Sequence, residues 1–154
     1  MAMADGGVIA AGEHRLCIRV YYEDTDAVGV VYHANYLRFA ERGRTEMMRC
    51  LGLEHGALSA QLGLAFTVRR CVVDYLAPAR LDDRLEVCTS LGRIGGASLD
   101  LEQRIVREDR PLVRIDVRLA LISSALRAVR LPPALVDALA PLRNGPAANL
   151  RVGA

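Results

Sequence analysis

The sequence predicts an α+β domain in which an antiparallel five-stranded sheet wraps around one long central helix. Two patterns carry this expectation. Apolar side chains recur with a helical period over residues 34–51, whereas residues 64–121 alternate with period two between short turn signals. Size agrees: 154 residues suffice to bury one core and fit a single domain.

Leu16, Ile18, Val20 and Tyr22 alternate with Arg15, Cys17, Arg19 and Tyr21, the pattern of a half-buried strand. An acidic turn follows in YYEDTDAVGVVYHANY at residues 21–36, where Glu23, Asp24 and Asp26 crowd together ahead of His33. Tyr36, Ala40, Gly43, Met47 and Leu51 then fall on one helical stripe with Leu37 and Met48 beside it, and Arg38, Arg42 and Arg49 point elsewhere. A shorter helix is expected at residues 55–62. Phe66, Val68, Val72 and Leu76 mark a strand stopped by Pro78; Leu85, Val87, Thr89 and Leu91 mark the next, ending near Gly92. Leu99, Leu101 and Ile105 lead to a turn at EDRP, residues 108–111, and Val113, Ile115, Val117, Leu119 and Leu121 form the last strand. Tight turns between consecutive strands imply antiparallel pairing. Two prolines open a short terminal helix at 131–139. Residues 1–13 and 141–154 read as loose tails flanking one unit at 14–140.

Composition excludes several functions. The chain is 52% hydrophobic and 25% charged with a net charge of +2, too weakly basic and too evenly mixed for a nucleic-acid surface. All twenty basic residues are arginine, so P-loop, Schiff-base and Ser-x-x-Lys chemistry all lack their lysine. Cys17, Cys50, Cys71 and Cys88 form no C-x-x-C pair, which argues against structural zinc. Three of them sit in apolar patterns typical of small core residues. No secretory leader and no stretch of eighteen apolar residues is seen, so a reducing cytoplasm is the expected compartment.

The acidic turn leads into the amino end of the long helix, where unpaired N–H groups and a partial positive charge favour an oxyanion. A carboxylate nearby can attack a carbonyl held there or activate water. Such a sparse site suits a thioester, because a thiol with a pKa of about 8.5 departs readily as thiolate. Aspartate in a turn is also an ordinary backbone-capping residue, and the pattern by itself leaves that reading open.

The block YxxTDxxGVVYHxxY at residues 22–36 resembles the signature of the hotdog-fold acyl-CoA thioesterases. It is most similar to the YbgC branch, the Tol-Pal-associated relatives of 4-hydroxybenzoyl-CoA thioesterase. The likeness continues through FAERGRTEMMR (39–49), VRRCVVDYLAPARLDDRLEV (68–87) and LEQRIVRED (101–109), covering roughly residues 14–140. By this resemblance Asp26 matches the catalytic aspartate, with His33 and Tyr22 as accompanying site residues. It implies an acyl-CoA substrate, or an acyl carrier protein thioester, and no cofactor or metal beyond the coenzyme A of the substrate. A homodimer unit, commonly paired into a homotetramer, is implied as well. Gly43 stands where the family commonly has alanine and is read as closer helix–sheet packing. Glu41 stands on the helix, where some relatives of this family carry the attacking carboxylate; here it is read instead as an ion-pair partner for a helix arginine such as Arg44 or as a core-edge residue. Asn35 is read as a helix cap or a support of the loop. The rival to an enzyme is a hotdog module that binds acyl groups or a protein without turnover.

Overall fold

The computed structural model describes residues 5–147. In chain order these form β1 (Val8–Ala10), β2 (Glu13–Arg19), a 3₁₀ turn at Tyr22–Asp24, α1 (Asn35–Cys50) and α2 (His55–Leu62). Then come β3 (Leu64–Tyr75), β4 (Arg84–Ile94), β5 (Ser98–Arg107), β6 (Arg110–Ser123), α3 (Pro133–Ala138) and a last 3₁₀ turn at Ala140–Leu142. All six strands join one sheet in the order β1-β2-β4-β5-β6-β3, and every pairing is antiparallel. No helix among the described residues is long and apolar enough to cross a membrane.

The sheet has one strand more than the five expected. Residues 8–10, assigned to a loose tail, instead form β1 and pair with β2 from Val8↔Arg15 to Ala10↔Glu13. Ala11 and Gly12 make the connection with φ of 51° and 74°, the two-residue hairpin turn with both central residues at positive φ. At the other end, residues 143–147 are also placed against the domain. Gly145 packs on the hairpin so closely that a Cβ on Gly12 would lie 2.5 Å from its backbone nitrogen. The remainder of the two expected tails, residues 1–4 and 148–154, lies outside the described residues.

The α1 helix packs against β2, β4 and β5 and buries Tyr36, Phe39, Ala40, Gly43, Met47 and Met48. At Gly43 the close packing read from the sequence is literal: a Cβ there would come within 2.6 Å of Val87 Cγ1. The core divides into two clusters. One gathers Tyr36, Phe39, Val87, Ile105 and Ile115 around the first half of α1. The other gathers Met47, Met48, Leu101, Leu121 and Leu139 around its second half.

Fully buried Gln103 lies under the middle of the helix. Its Nε2 donates to the Ala40 carbonyl at 2.8 Å and to Thr89 Oγ1 at 3.0 Å, and its Oε1 accepts from Arg44 Nη1 at 2.8 Å. A buried polar group satisfied in this way fixes the rotation of α1 on the sheet.

Two features qualify the simple in–out alternation of the strands. Cys88 is buried, but Cys17, Cys50 and Cys71 are exposed, so the apolar setting of the cysteines overstated their burial. On the outer face, Glu13, Asp100 and Glu102 are buried beneath arginine side chains: Arg104 and Arg15 reach Glu13, Arg118 reaches Asp100, and Arg114 reaches Glu102. The β3 strand closes one edge of the sheet, pairing with β6 alone and leaving Val68, Val72, Tyr75 and Leu76 exposed.

Candidate active site

Residues 21–36 form a short ribbon that runs directly into α1. Asp24 and Asp26 pair with Tyr32 and Val30: the Tyr32 N–H donates to the Asp24 carbonyl and the Asp26 N–H to the Val30 carbonyl, both at 2.9 Å. Gly29 turns the tip at φ +88°, a region open chiefly to glycine. The ribbon is tied to the next segment by the Val31 N–H, which donates to the Ala79 carbonyl at 2.9 Å.

Asp26 sits at the base of this tip and is exposed in the single chain. Its Oδ1 accepts the N–H of Val28 at 2.9 Å and of Val30 at 3.4 Å, which leaves Oδ2 without a hydrogen-bond partner among the described residues. The carboxylate is therefore oriented by its own turn, through one of its two oxygens.

His33 lies just ahead of α1. Its ring packs at 4.5 Å from Tyr32 and meets Tyr75 edge-on at 6.3 Å, and its carbonyl accepts from the Tyr75 hydroxyl at 2.9 Å. The helix has no side-chain cap at Ala34. The Asn35 N–H donates to the Tyr32 carbonyl, whereas the N–H groups of His33 and Ala34 meet no carbonyl among the described residues. Two donors at the positive end of a helix are thus available for an anionic oxygen.

Tyr22 is 83% exposed; its carbonyl accepts from Thr25 Oγ1 at 2.8 Å. Tyr22, Asp26 and His33 share the ribbon, but no hydrogen bond or ring contact joins their side chains.

The neighbours separate into roles. Asp24 is buried, and its Oδ2 caps the 3₁₀ turn by accepting from the Tyr21 N–H at 2.8 Å. Asn35 serves the loop: its Nδ2 donates to the Asp24 carbonyl at 2.9 Å, tying the first helical residue to the acidic strand of the ribbon. Glu41 and Arg44 form no ion pair; both instead line a cavity farther along α1. Tyr75 is the contributor that the sequence reading missed. It fixes the His33 carbonyl and meets the Tyr36 ring edge-on at 5.8 Å. An aromatic residue at the end of an exposed edge strand, just before a proline-containing turn, was the available signal. Among the described residues no group of three or more His, Cys, Asp or Glu side chains is placed to hold a metal ion.

A sheet laid over one helix is the architecture of the class, and the ribbon leading into that helix carries a carboxylate and backbone donors without carbonyl partners among the described residues. Residues 28–114 match the Thioesterase superfamily, and with more than half of its length matched this chain belongs to that family. Tyr22 and Asp26 lie just ahead of the matched span.

Particular relatives sharpen the picture. The acyl-CoA thioester hydrolase YbgC of Escherichia coli O6:H1 is 53% identical over 96 residues, 62% of this chain and 71% of that protein. The acyl-CoA thioesterase YbgC of Haemophilus influenzae is 46% identical over 105 residues, 68% of this chain and 77% of the relative. A crystal structure of a probable thioesterase from Bartonella henselae superposes with a TM-score of 0.76 at 39% identity, covering 78% of this chain and 99% of the other. The architecture is the hotdog fold, as expected, with six strands in place of five.

Proposed function

We propose that this protein is an acyl-CoA thioesterase, releasing a free acid and coenzyme A, with Asp26 as nucleophile or general base. One observation supports this reading most directly. A carboxylate with an unengaged oxygen shares a short ribbon with a helix start whose leading N–H groups, at His33 and Ala34, lack carbonyl partners. Those donors take the charge that builds on the thioester oxygen, a contribution of roughly 3 kcal/mol per donor. Asp26 attacks the carbonyl carbon, or removes a proton from the water that does. The C–S bond then breaks and coenzyme A leaves as thiolate, needing no strong acid to depart; on the nucleophilic route water next cleaves the aspartyl anhydride, freeing the acid and Asp26. The His33 imidazole orients water or the acyl group, and Tyr22 borders the entrance. Acyl carrier protein thioesters present the same bond and are a second candidate substrate.

In the single chain this ribbon is open to solvent, which supports a site completed by a second copy. The β3 edge carries unpaired backbone and exposed apolar side chains, the features through which edge strands associate. We therefore take the working unit to be a homodimer, with pairing into a tetramer as the next level.

A second reading has its own observation. Asp26 Oδ1 is engaged by its own turn, so the residue has a purely structural explanation. The protein would then bind acyl groups or a Tol-Pal component without turnover. Thiol release across a series of acyl-CoAs, with Asp26→Asn beside the wild type, separates these readings. Asparagine keeps the turn-accepting oxygen and loses the base, so activity should fall by about 10²- to 10⁴-fold. An undiminished Asp26→Asn enzyme would refute the residue assignment. Absence of thiol release from every acyl-CoA and acyl carrier protein thioester would favour the binding module.

A further inference from the structure

Between α1 and the start of β3 lies a cavity of about 240 Å³. Glu41, Arg44 and Thr45 form a polar wall on the helix side, and Met47, Phe66 and Leu119 complete the apolar part. An apolar cavity of about 150 Å³ accepts benzene, so this space holds a ring or several methylene groups.

Its place along the helix relates it to the proposed reaction centre. At 1.5 Å per residue, Glu41 stands about 9 Å and Thr45 about 15 Å beyond Asn35. A carbonyl held at the helix start would send the distal part of its acyl chain toward this space. With carbon–carbon bonds of about 1.5 Å in a zigzag, a chain of about eight carbons reaches it.

The polar wall is unusual for a chamber that takes plain hydrocarbon. Arg44 is half-buried on α1, and burial pulls its pKa down while the charge on Glu41 pushes it up. Among the described residues its guanidinium makes one hydrogen bond, to Gln103, and no ion pair. Its remaining N–H groups are not sealed from solvent. A guanidinium carries five donors in a planar fork, so most of its capacity is open. Glu41 acts on this cation through space without pairing with it, so a partly desolvated guanidinium keeps open donors that a hydrogen-bonded acceptor would satisfy. An alkyl tail would leave it unmatched, whereas an oxygen acceptor would satisfy it, and a carboxylate would do so in two-pronged fashion.

We propose that this cavity receives the distal part of the acyl group, and that Arg44 selects acyl groups bearing an oxygen acceptor there, a carboxylate above a hydroxyl. The proposal rests on the thioesterase reading and names the substrate class for it. Arg44 acts here as a specificity residue and takes no part in bond cleavage.

The test compares suberoyl-CoA, 8-hydroxyoctanoyl-CoA and octanoyl-CoA, which share one chain length, on wild type, Arg44→Met, Arg44→Lys and Thr45→Leu. A charged hydrogen bond corresponds to roughly tenfold or more in binding. The wild type should therefore favour suberoyl- over octanoyl-CoA by about tenfold in kcat/KM, mainly through KM, with the hydroxy substrate between them. The preference should vanish in Arg44→Met and persist, reduced, in Arg44→Lys. Thr45→Leu fills part of the cavity and should slow all three substrates while sparing acetyl-CoA.

Equal or better turnover of octanoyl-CoA by the wild type would overturn the proposal. So would an unchanged preference in an Arg44→Met protein that retains its melting temperature. Should Arg44→Met fail to fold, a Thr45→Leu enzyme with an unaltered chain-length profile would overturn it instead. Calorimetric binding of free suberate against octanoate reads the cavity without turnover. If no thioester is cleaved but suberate binds tighter through Arg44, the thioesterase reading fails and the cavity assignment stands.

Discussion

His14 shows how a single buried side chain ties stability to pH. It is fully buried in β2, its Nε2 donates to the Gly6 carbonyl at 2.9 Å, and its Nδ1 has no partner among the described residues. Burial holds its pKa below the ordinary value near 6.5, against smaller opposing effects from Gly6 and Glu46. The unfolded chain therefore binds a proton at a pH where the native state does not. The contribution of His14 to stability is constant well above about pH 6.5, falls as the pH drops through it, and levels off once the native pKa is passed. Melting temperatures at about pH 7.5 and about pH 5.5 should diverge in the wild type and much less in His14→Gln. Equal losses in the two proteins would show that His14 is not the group responsible. At this scale the sequence was informative about the ribbon: the acidic turn does lead directly into the start of α1. It was silent about Tyr75, whose bond to the His33 carbonyl spans 42 positions.

At the scale of elements, α1 was legible because its apolar period is strong. The helix observed at Asn35–Cys50 lies within residues 34–51. Its inventory was less so: Phe39 is fully buried, whereas Leu37, expected beside the stripe, is 39% exposed. The first long strand was read through Tyr22 but ends at Arg19. Asp24 accepts the Tyr21 N–H and bends the chain into a 3₁₀ turn, a side-chain effect that alternation does not register. The pillar at Gln103 was not legible either, since its partners are 14 to 63 positions away. Replacing it with leucine keeps the volume but leaves the Ala40 carbonyl, the Thr89 hydroxyl and Arg44 short of a partner. The expected loss is about 3 kcal/mol, dominated by the half-buried cation. Urea unfolding of Gln103→Leu measures it, and a loss within experimental error would mean that water replaces the amide.

For the whole molecule, the order of long elements followed from pattern alone, because one helix and a set of alternating strands admit few compact arrangements. What escaped was the edge. A three-residue strand carries too little period to be distinguished from a tail, so β1 was invisible. The opposite edge, β3, carries the prediction about assembly. Placing aspartate at both Val68 and Val72, which are 49% and 40% exposed in the single chain, should convert a dimer into monomers. Light scattering coupled to size exclusion would report this, and thiol release should fall with it if the site needs two copies. A double variant that remains dimeric would place the interface elsewhere.

The close approach of Gly12 and Gly145 has a further meaning. It latches the first hairpin of the sheet to the segment that follows the last 3₁₀ turn, so two parts of the domain far apart in sequence hold each other down. Neither flank can be trimmed independently. An affinity tag attached directly at either side would press on this clasp, and a spacer is the natural remedy.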